Sequence, residues 1–166
     1  MDCDAAQQRA QQLMAQHGLI ERGWSFSFNR RKQSLGLCNY TAKRIELSSL
    51  FVVRNDADEV VDTVRHEIAH ALAGRKAGHG PAWAAVCCRI GAIPKRTCNT
   101  AAMPRGNFQA RCPGCGKEHD RYRRPMRRRV YHCRACGPGQ GRLRFVRAEV
   151  FESSQLTRAK RRRCRR

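Results

Sequence analysis

Two hydrophobic periods alternate along the chain, and each change of period marks an element. Residues 4–17 are rich in Ala and Gln, with Leu13 and Met14 apolar and Gly18 following as a C-cap, which predicts a first, partly exposed helix. Trp24-Ser25-Phe26-Ser27-Phe28 then alternates strictly, the period of a half-buried strand. After a basic turn over 29–33, the segments 35–40 and 44–48 read as two further strands joined by Thr41-Ala42-Lys43. The apolar run 50–53 is too short to assign.

The helical period returns at Val60, Val64, Ile68, Ala71 and Leu72, which predicts a long helix with one buried stripe. Asn55 or Asp56 can cap it, and Asp56 with Glu59 three residues on resembles a capping box with Asp in place of Ser or Thr. Gly74 ends it, and 75–78 form a loop. Gly80 and Pro81 then open another helix as N-cap and first residue, with Trp83, Val86, Cys87 and Ile90 apolar and Gly91 and Pro94 as its stop. Periodicity fades over 94–106, which reads as a linker. Beyond it only 129–132 and 142–146 read as strands.

The fold class expected is therefore α+β: a small antiparallel sheet plus helices over 1–104, a small cysteine-bearing module over 105–150, and a basic tail over 151–166 without a core of its own. At 166 residues the chain accommodates one ordinary domain and a small module, and a 41% hydrophobic fraction permits a modest core. No stretch approaches the roughly 18 apolar residues of a membrane span. The start Met1-Asp2-Cys3-Asp4 lacks the basic and apolar regions of a secretory signal. A reducing cytoplasm is expected, nucleoid-associated or in a host cell, or the nucleus in a eukaryote. In a reducing compartment cysteine pairs serve as metal ligands more often than as disulfides.

Charge divides the chain unevenly. Lys and Arg number 34 against 13 Asp and Glu, a net charge of +21. Residues 1–104 carry 14 basic and 9 acidic side chains, net +5, and residues 105–166 carry 20 and 4, net +16. A basic half of this kind points to phosphate, and the Arg-rich run with interleaved aromatics favours nucleic acid over a membrane surface.

The chemistry centres on His66-Glu67-Ile68-Ala69-His70. Histidines four apart on a helix stack on one face one turn apart, and both reach one metal ion. Glu67 projects about 100° away, where a carboxylate takes a proton from water without ligating the metal. Zinc lowers the pKa of such a water to roughly 7. A catalytic zinc needs a third protein ligand. No Asp or Glu lies between Glu67 and Glu118, and Ala73 and Lys76 exclude a His-x-x-Gly-x-x-His continuation. His79, the only histidine between His70 and His119, is left as the third ligand, flanked by Gly78 and Gly80. Farther on, Cys112-Pro113-Gly114-Cys115 and Cys133-Arg134-Ala135-Cys136, with 17 residues between, have the spacing of a structural four-cysteine zinc site. Gly116 and Gly137 follow the two knuckles, and His119 and His132 are left out of the ligand set.

Taken together, His66-Glu67-Ile68-Ala69-His70 and His79-Gly80-Pro81-Ala82-Trp83, with 35–40 and 45–48 upstream, resemble the SprT-like metalloprotease family, which includes the eukaryotic Spartan proteases. The resemblance covers roughly residues 5–100 and extends to a C-terminal zinc ribbon. It implies a zincin-like α+β domain with His66, His70 and His79 as ligands of a catalytic zinc, Glu67 as general base, and Cys112, Cys115, Cys133 and Cys136 around a structural one. It also implies proteolysis linked to DNA, including removal of proteins crosslinked to DNA.

The expected partners are nucleic acid, DNA before RNA, bound with little regard to sequence, and protein substrates on that DNA; no membrane is expected. Arg121, Tyr122, Arg123, Arg124, Arg127, Arg128 and Arg129 lie between the knuckles as candidate contacts, forks for phosphate and a ring for a base. Tyr131 is a second ring for stacking, and the tail over 158–166 adds a non-specific phosphate grip. The alternative is a non-enzymatic nucleic-acid-binding protein in which the first zinc is structural or vestigial; Glu67, which a purely structural site does not require, separates the two.

Overall fold

A computed structural model describes residues 1–96 and 101–151. Cys98, Cys164 and the basic run 158–166 lie outside the described residues. The chain divides into two compact units, Met1–Pro104 and Arg105–Arg166.

Unit 1 begins with α1 (Cys3–Gln16), capped by Asp2, whose carboxylate accepts the Ala5 N–H at 2.8 Å. Three strands follow, β1 (Ser25–Asn29), β2 (Gly36–Asn39) and β3 (Arg44–Ser48). The sheet order is β1-β3-β2; β2 pairs with β3 antiparallel, but β1 pairs with β3 parallel. The wholly antiparallel sheet expected from the sequence is thus corrected to a mixed one. Alternation records which face a residue takes and is silent on strand direction. Direction is set by the segment 30–35, which carries the chain past β3 to the far edge, held there by Ser48 Oγ donating to Arg31 O and Ser48 N–H to Leu35 O at 2.8 Å. The unassigned apolar run forms a one-turn helix, α2 (Ser49–Val52), that buries Phe51 and Val52.

The central helix is α3 (Ala57–Ala73), capped by Asp56, whose carboxylate accepts the Glu59 N–H at 2.9 Å. Val60, Val64 and Ile68 are fully buried with Ile45 and Leu47 of β3 and Leu13 and Met14 of α1. Burying each such side chain stabilises the fold by about 1.5–3 kcal/mol. Ala71 and Leu72, expected in the same stripe, are only half-buried, and Ala69 is buried instead. The reason is a second packing partner: α4 (Pro81–Arg89) lays Trp83, Val86 and Cys87 against Ala69. Between the two helices lies a short 3-10 turn, Arg75–Ala77. Residues expected in the linker are partly docked on unit 1. Ala101 and Met103 pack on its core, and the Asn55 side chain accepts Ala102 N–H at 2.7 Å and donates to Ala102 O at 2.9 Å.

Unit 2 has a three-stranded antiparallel sheet, β4 (Phe108–Arg111), β5 (Glu118–Arg121) and β8 (Val146–Arg147), with β4 central. A second pair joins β6 (Tyr131–His132) to β7 (Arg142–Leu143). A short helix α5 (Gly137–Gln140) follows the second cysteine pair. The strand expected over 142–146 is broken into β7 and β8, and each half joins a different sheet. No helix among the described residues is long and apolar enough to cross a membrane.

Candidate metal centre

Three imidazoles meet where α3, the 3-10 turn and α4 join. The i, i+4 spacing puts His66 and His70 on one face of α3, ring centroids 5.0 Å apart. The turn then returns the chain so that His79 faces both: its Nε2 lies 3.1 Å from His70 Nε2 and 3.2 Å from His66 Nε2. Three nitrogens at such mutual distances cannot all be satisfied by hydrogen bonds, since a neutral imidazole carries one N–H. The spacing is close to the edge of a tetrahedron with metal–nitrogen bonds of about 2.0–2.1 Å, which is about 3.3 Å. As a donor set, His66, His70 and His79 fit a metal ion.

The electrostatics agree. Burial first, and the His79 ring second, hold His66 down at about 4; burial, then His66 and His79, hold His70 at about 4. Burial, then Arg96, lowers His79 as well. All three rings are therefore neutral near pH 7, the form that offers a lone pair to a metal. Trp83 forms the floor of the trio, its ring centroid 4.8 Å from His66, 5.3 Å from His70 and 4.7 Å from His79.

Glu67 turns away from the imidazole face and is only 7% exposed. Burial raises its carboxyl to about 8, opposed by the Cys38 backbone amide. Its surroundings come from β2, which the sequence did not connect with the site. A Cβ built on Gly36 would lie 2.7 Å from Glu67 Oε1 and 2.8 Å from its Cγ. Tyr40, just past the strand, donates its hydroxyl to His70 O at 3.0 Å. Gly36, Cys38 and Tyr40 recur every second residue, so one face of this segment meets α3. The alternation was visible in the sequence, but which helix it would meet was not.

In unit 2 the four cysteines Cys112, Cys115, Cys133 and Cys136 converge, with Cys115 Sγ 3.7 Å from Cys133 Sγ. Zinc–sulfur bonds of about 2.3 Å give a tetrahedral edge of about 3.8 Å. Each knuckle is the same tight turn: Gly116 N–H donates to Cys112 O at 3.0 Å, and Gly137 N–H to Cys133 O at 2.9 Å. Backbone amides of Cys115 and Gly114 bring Cys112 down to about 7, and those of Cys136 and Ala135, with the His119 side chain, lower Cys133. Cys115 and Cys112 in turn push Cys136 up to about 12. Two sulfurs drawn toward the thiolate beside a third that its sulfur neighbours hold as thiol form a set that a dication would relieve, so this set too fits a metal. His119 lies near Cys133 and outside the four sulfurs.

The basic residues between the knuckles divide into two groups. Arg123, Arg124, Arg127, Arg128 and Arg129 are exposed. Arg121 is half-buried, its guanidinium 4.5 Å from the Tyr131 ring centre and 5.8 Å from that of Phe145, and Arg129 lies 5.5 Å from Tyr131. Tyr131 is thus already packed by two arginines and the edge of Phe145. Tyr122 is half-buried next to them in sequence. In the sequence all these positions have equal standing, because residue type does not reveal an arginine–aromatic stack.

Comparison with known proteins bears on unit 1 above all. A model of the SprT-like family matches residues 5–103. Protein SprT of Pseudomonas savastanoi pv. phaseolicola is 27% identical over 122 residues, covering 66% of this chain and 74% of that protein. Protein SprT of Shigella boydii is 28% identical over 149 residues, covering 80% of this chain and 89% of that protein. No solved structure matches.

Proposed function

The chain belongs to the SprT-like family, and on that premise we propose that it is a zinc-dependent metallopeptidase that docks on nucleic acid and hydrolyses peptide bonds of DNA-associated proteins, including proteins crosslinked to DNA. The observation that carries the hydrolytic reading is the convergence of three neutral imidazoles beside one buried glutamate. Bound zinc would supply Lewis-acid polarisation of the scissile carbonyl and a more acidic water. His66, His70 and His79 would hold the ion, and Trp83 keeps their rings in place by packing against all three. With a cation at the histidine trio favouring its ionised form, Glu67 would act as general base, taking the proton of the attacking water and returning it to the departing amine nitrogen. The four-cysteine module, with a second zinc, presents the exposed arginines to the phosphate backbone without reading bases.

Cleavage of a DNA-bound protein by the full chain, with and without DNA, tests this reading against Glu67→Gln. The expected result is zinc content unchanged and cleavage reduced on the order of 10²–10⁴-fold. Cleavage at the wild-type rate in Glu67→Gln would sink the proposal. DNA affinity measured over a salt series tests the docking half; it should fall steeply as salt rises, and an affinity flat with salt counts against it.

A further inference from the structure

Gly36 is the first residue of β2, with the ladder continued before it by Ser48 N–H donating to Leu35 O, and its φ is outside the left-handed region that favours glycine. The backbone there accepts any residue. A glycine in a strand ladder offers no side chain to pack, so one in an ordinary conformation points to a close approach from outside. The approaching group is the Glu67 side chain: a Cβ at position 36 would meet its Oε1 at 2.7 Å, its Cγ at 2.8 Å and its Cδ at 3.0 Å. Rotating the carboxylate alone does not relieve this, because Cγ is included.

The pairing of β2 adds a second observation. Ser48 N–H donates to Leu35 O at 2.8 Å, and the register runs Gly36–Leu47, Leu37–Glu46, Cys38–Ile45, Asn39–Arg44. Hydrogen-bonded and non-bonded pairs alternate in an antiparallel ladder. Leu37 and Asn39 therefore bond to β3, while the amides of Gly36 and Cys38 point out of the free edge. The Cys38 amide there favours the charged Glu67 carboxylate. Tyr40 continues the same face and fastens the segment to His70 O.

We propose that Gly36 is a positioning residue for the general base: the missing side chain lets the Glu67 carboxylate lie against the free edge of β2, in reach of the Cys38 amide, and so fixes its direction relative to the imidazole trio. This rests on the hydrolytic reading of the site for its catalytic consequence, and on packing alone for the contact itself.

The experiment is a cycle of Gly36→Ala, Glu67→Ala and the double variant in the full chain, read by zinc content, thermal melting and, for Gly36→Ala, steady-state kinetics. Gly36→Ala should keep its zinc, lower kcat more than tenfold and leave KM within twofold. It should lower Tm by several degrees in the wild-type background and by none with Glu67→Ala, where the added methyl has room. A kcat within twofold of wild type, or an equal loss of Tm in both backgrounds, would overturn the proposal. If Gly36→Ala fails to fold, a folded double variant supports the contact, and a double variant that also fails overturns it. Should the wild-type chain cleave nothing, the metallopeptidase reading falls while the melting cycle still decides whether position 36 serves Glu67.

Discussion

Unit 1 holds its three imidazoles on a scaffold with a core of its own, including Met14, Leu19, Ile45, Leu47, Phe51 and Ile68, none of which is a ligand. Unit 2 counts two of its four sulfur ligands, Cys112 and Cys133, among the four members of its buried cluster, beside Ala110 and Leu143. The first site is preorganised by packing; in the second, the ligands are a large part of the packing. A metal held by the histidine trio would therefore join a finished fold, whereas a metal held by the cysteine quartet would supply much of the folding free energy. Breaking each site should give opposite outcomes for structure and for activity.

The largest effect is expected from Cys133→Ser. Zinc content should fall by one ion per chain, and residues 105–151 should lose their dispersed amide spectrum, while unit 1 keeps its melting transition. A Cys133→Ser chain with intact unit 2 signals would show that the ribbon folds on packing alone.

Next comes Trp83→Ala, which removes the floor under all three imidazoles. A loss of about 3–5 kcal/mol in urea unfolding of unit 1 is expected. Zinc affinity should weaken with it, since the rings lose the surface that orients them. Trp83→Ala with full stability would mean that α4 merely rests on Ala69.

A smaller effect concerns pH. The folded-state pKa of Glu67 is raised from 4.5 to about 8, so the folded metal-free chain holds this proton more tightly than the unfolded chain. Its contribution is fully present below about pH 4.5 and is lost as pH rises through about 8, on the order of 2–3 kcal/mol between pH 5 and 8. Metal-free wild type should therefore lose stability over that interval, and Glu67→Gln should flatten the loss. Parallel slopes for the two chains would mean that Glu67 is solvated.

Much of both sites could be read from the sequence, for a local reason. His66 and His70 are tied by helical spacing, His79 follows after one short turn, and each Cys-x-x-Cys pair is a turn in itself. The contribution of β2 was hidden because it depends on which helix the strand meets: Gly36 looks like any strand glycine until Glu67 is seen against it. The parallel pairing of β1 was hidden for a related reason, since it follows from where the segment 30–35 carries the chain. Arg121 looks the same in sequence as Arg123, and only the positions of Tyr131 and Phe145 separate a packed guanidinium from an exposed one.

The corner at Gly78 has a consequence in time. With φ 51 and ψ −130 it adopts a conformation that residues bearing a Cβ avoid, and it turns the chain between the 3-10 turn and α4. All three imidazoles thus come from one continuous stretch, 66–79, so bringing His79 back to His66 and His70 on the packed scaffold closes only a loop near ten residues, an event of about 10–100 ns. The cysteine quartet must instead bring two knuckles together across 17 intervening residues, and that segment is longer and reaches the end of the ribosomal tunnel later. During synthesis all three histidines are in the chain before the second pair of thiols has been made, so the residues of the candidate centre precede the module proposed to direct it.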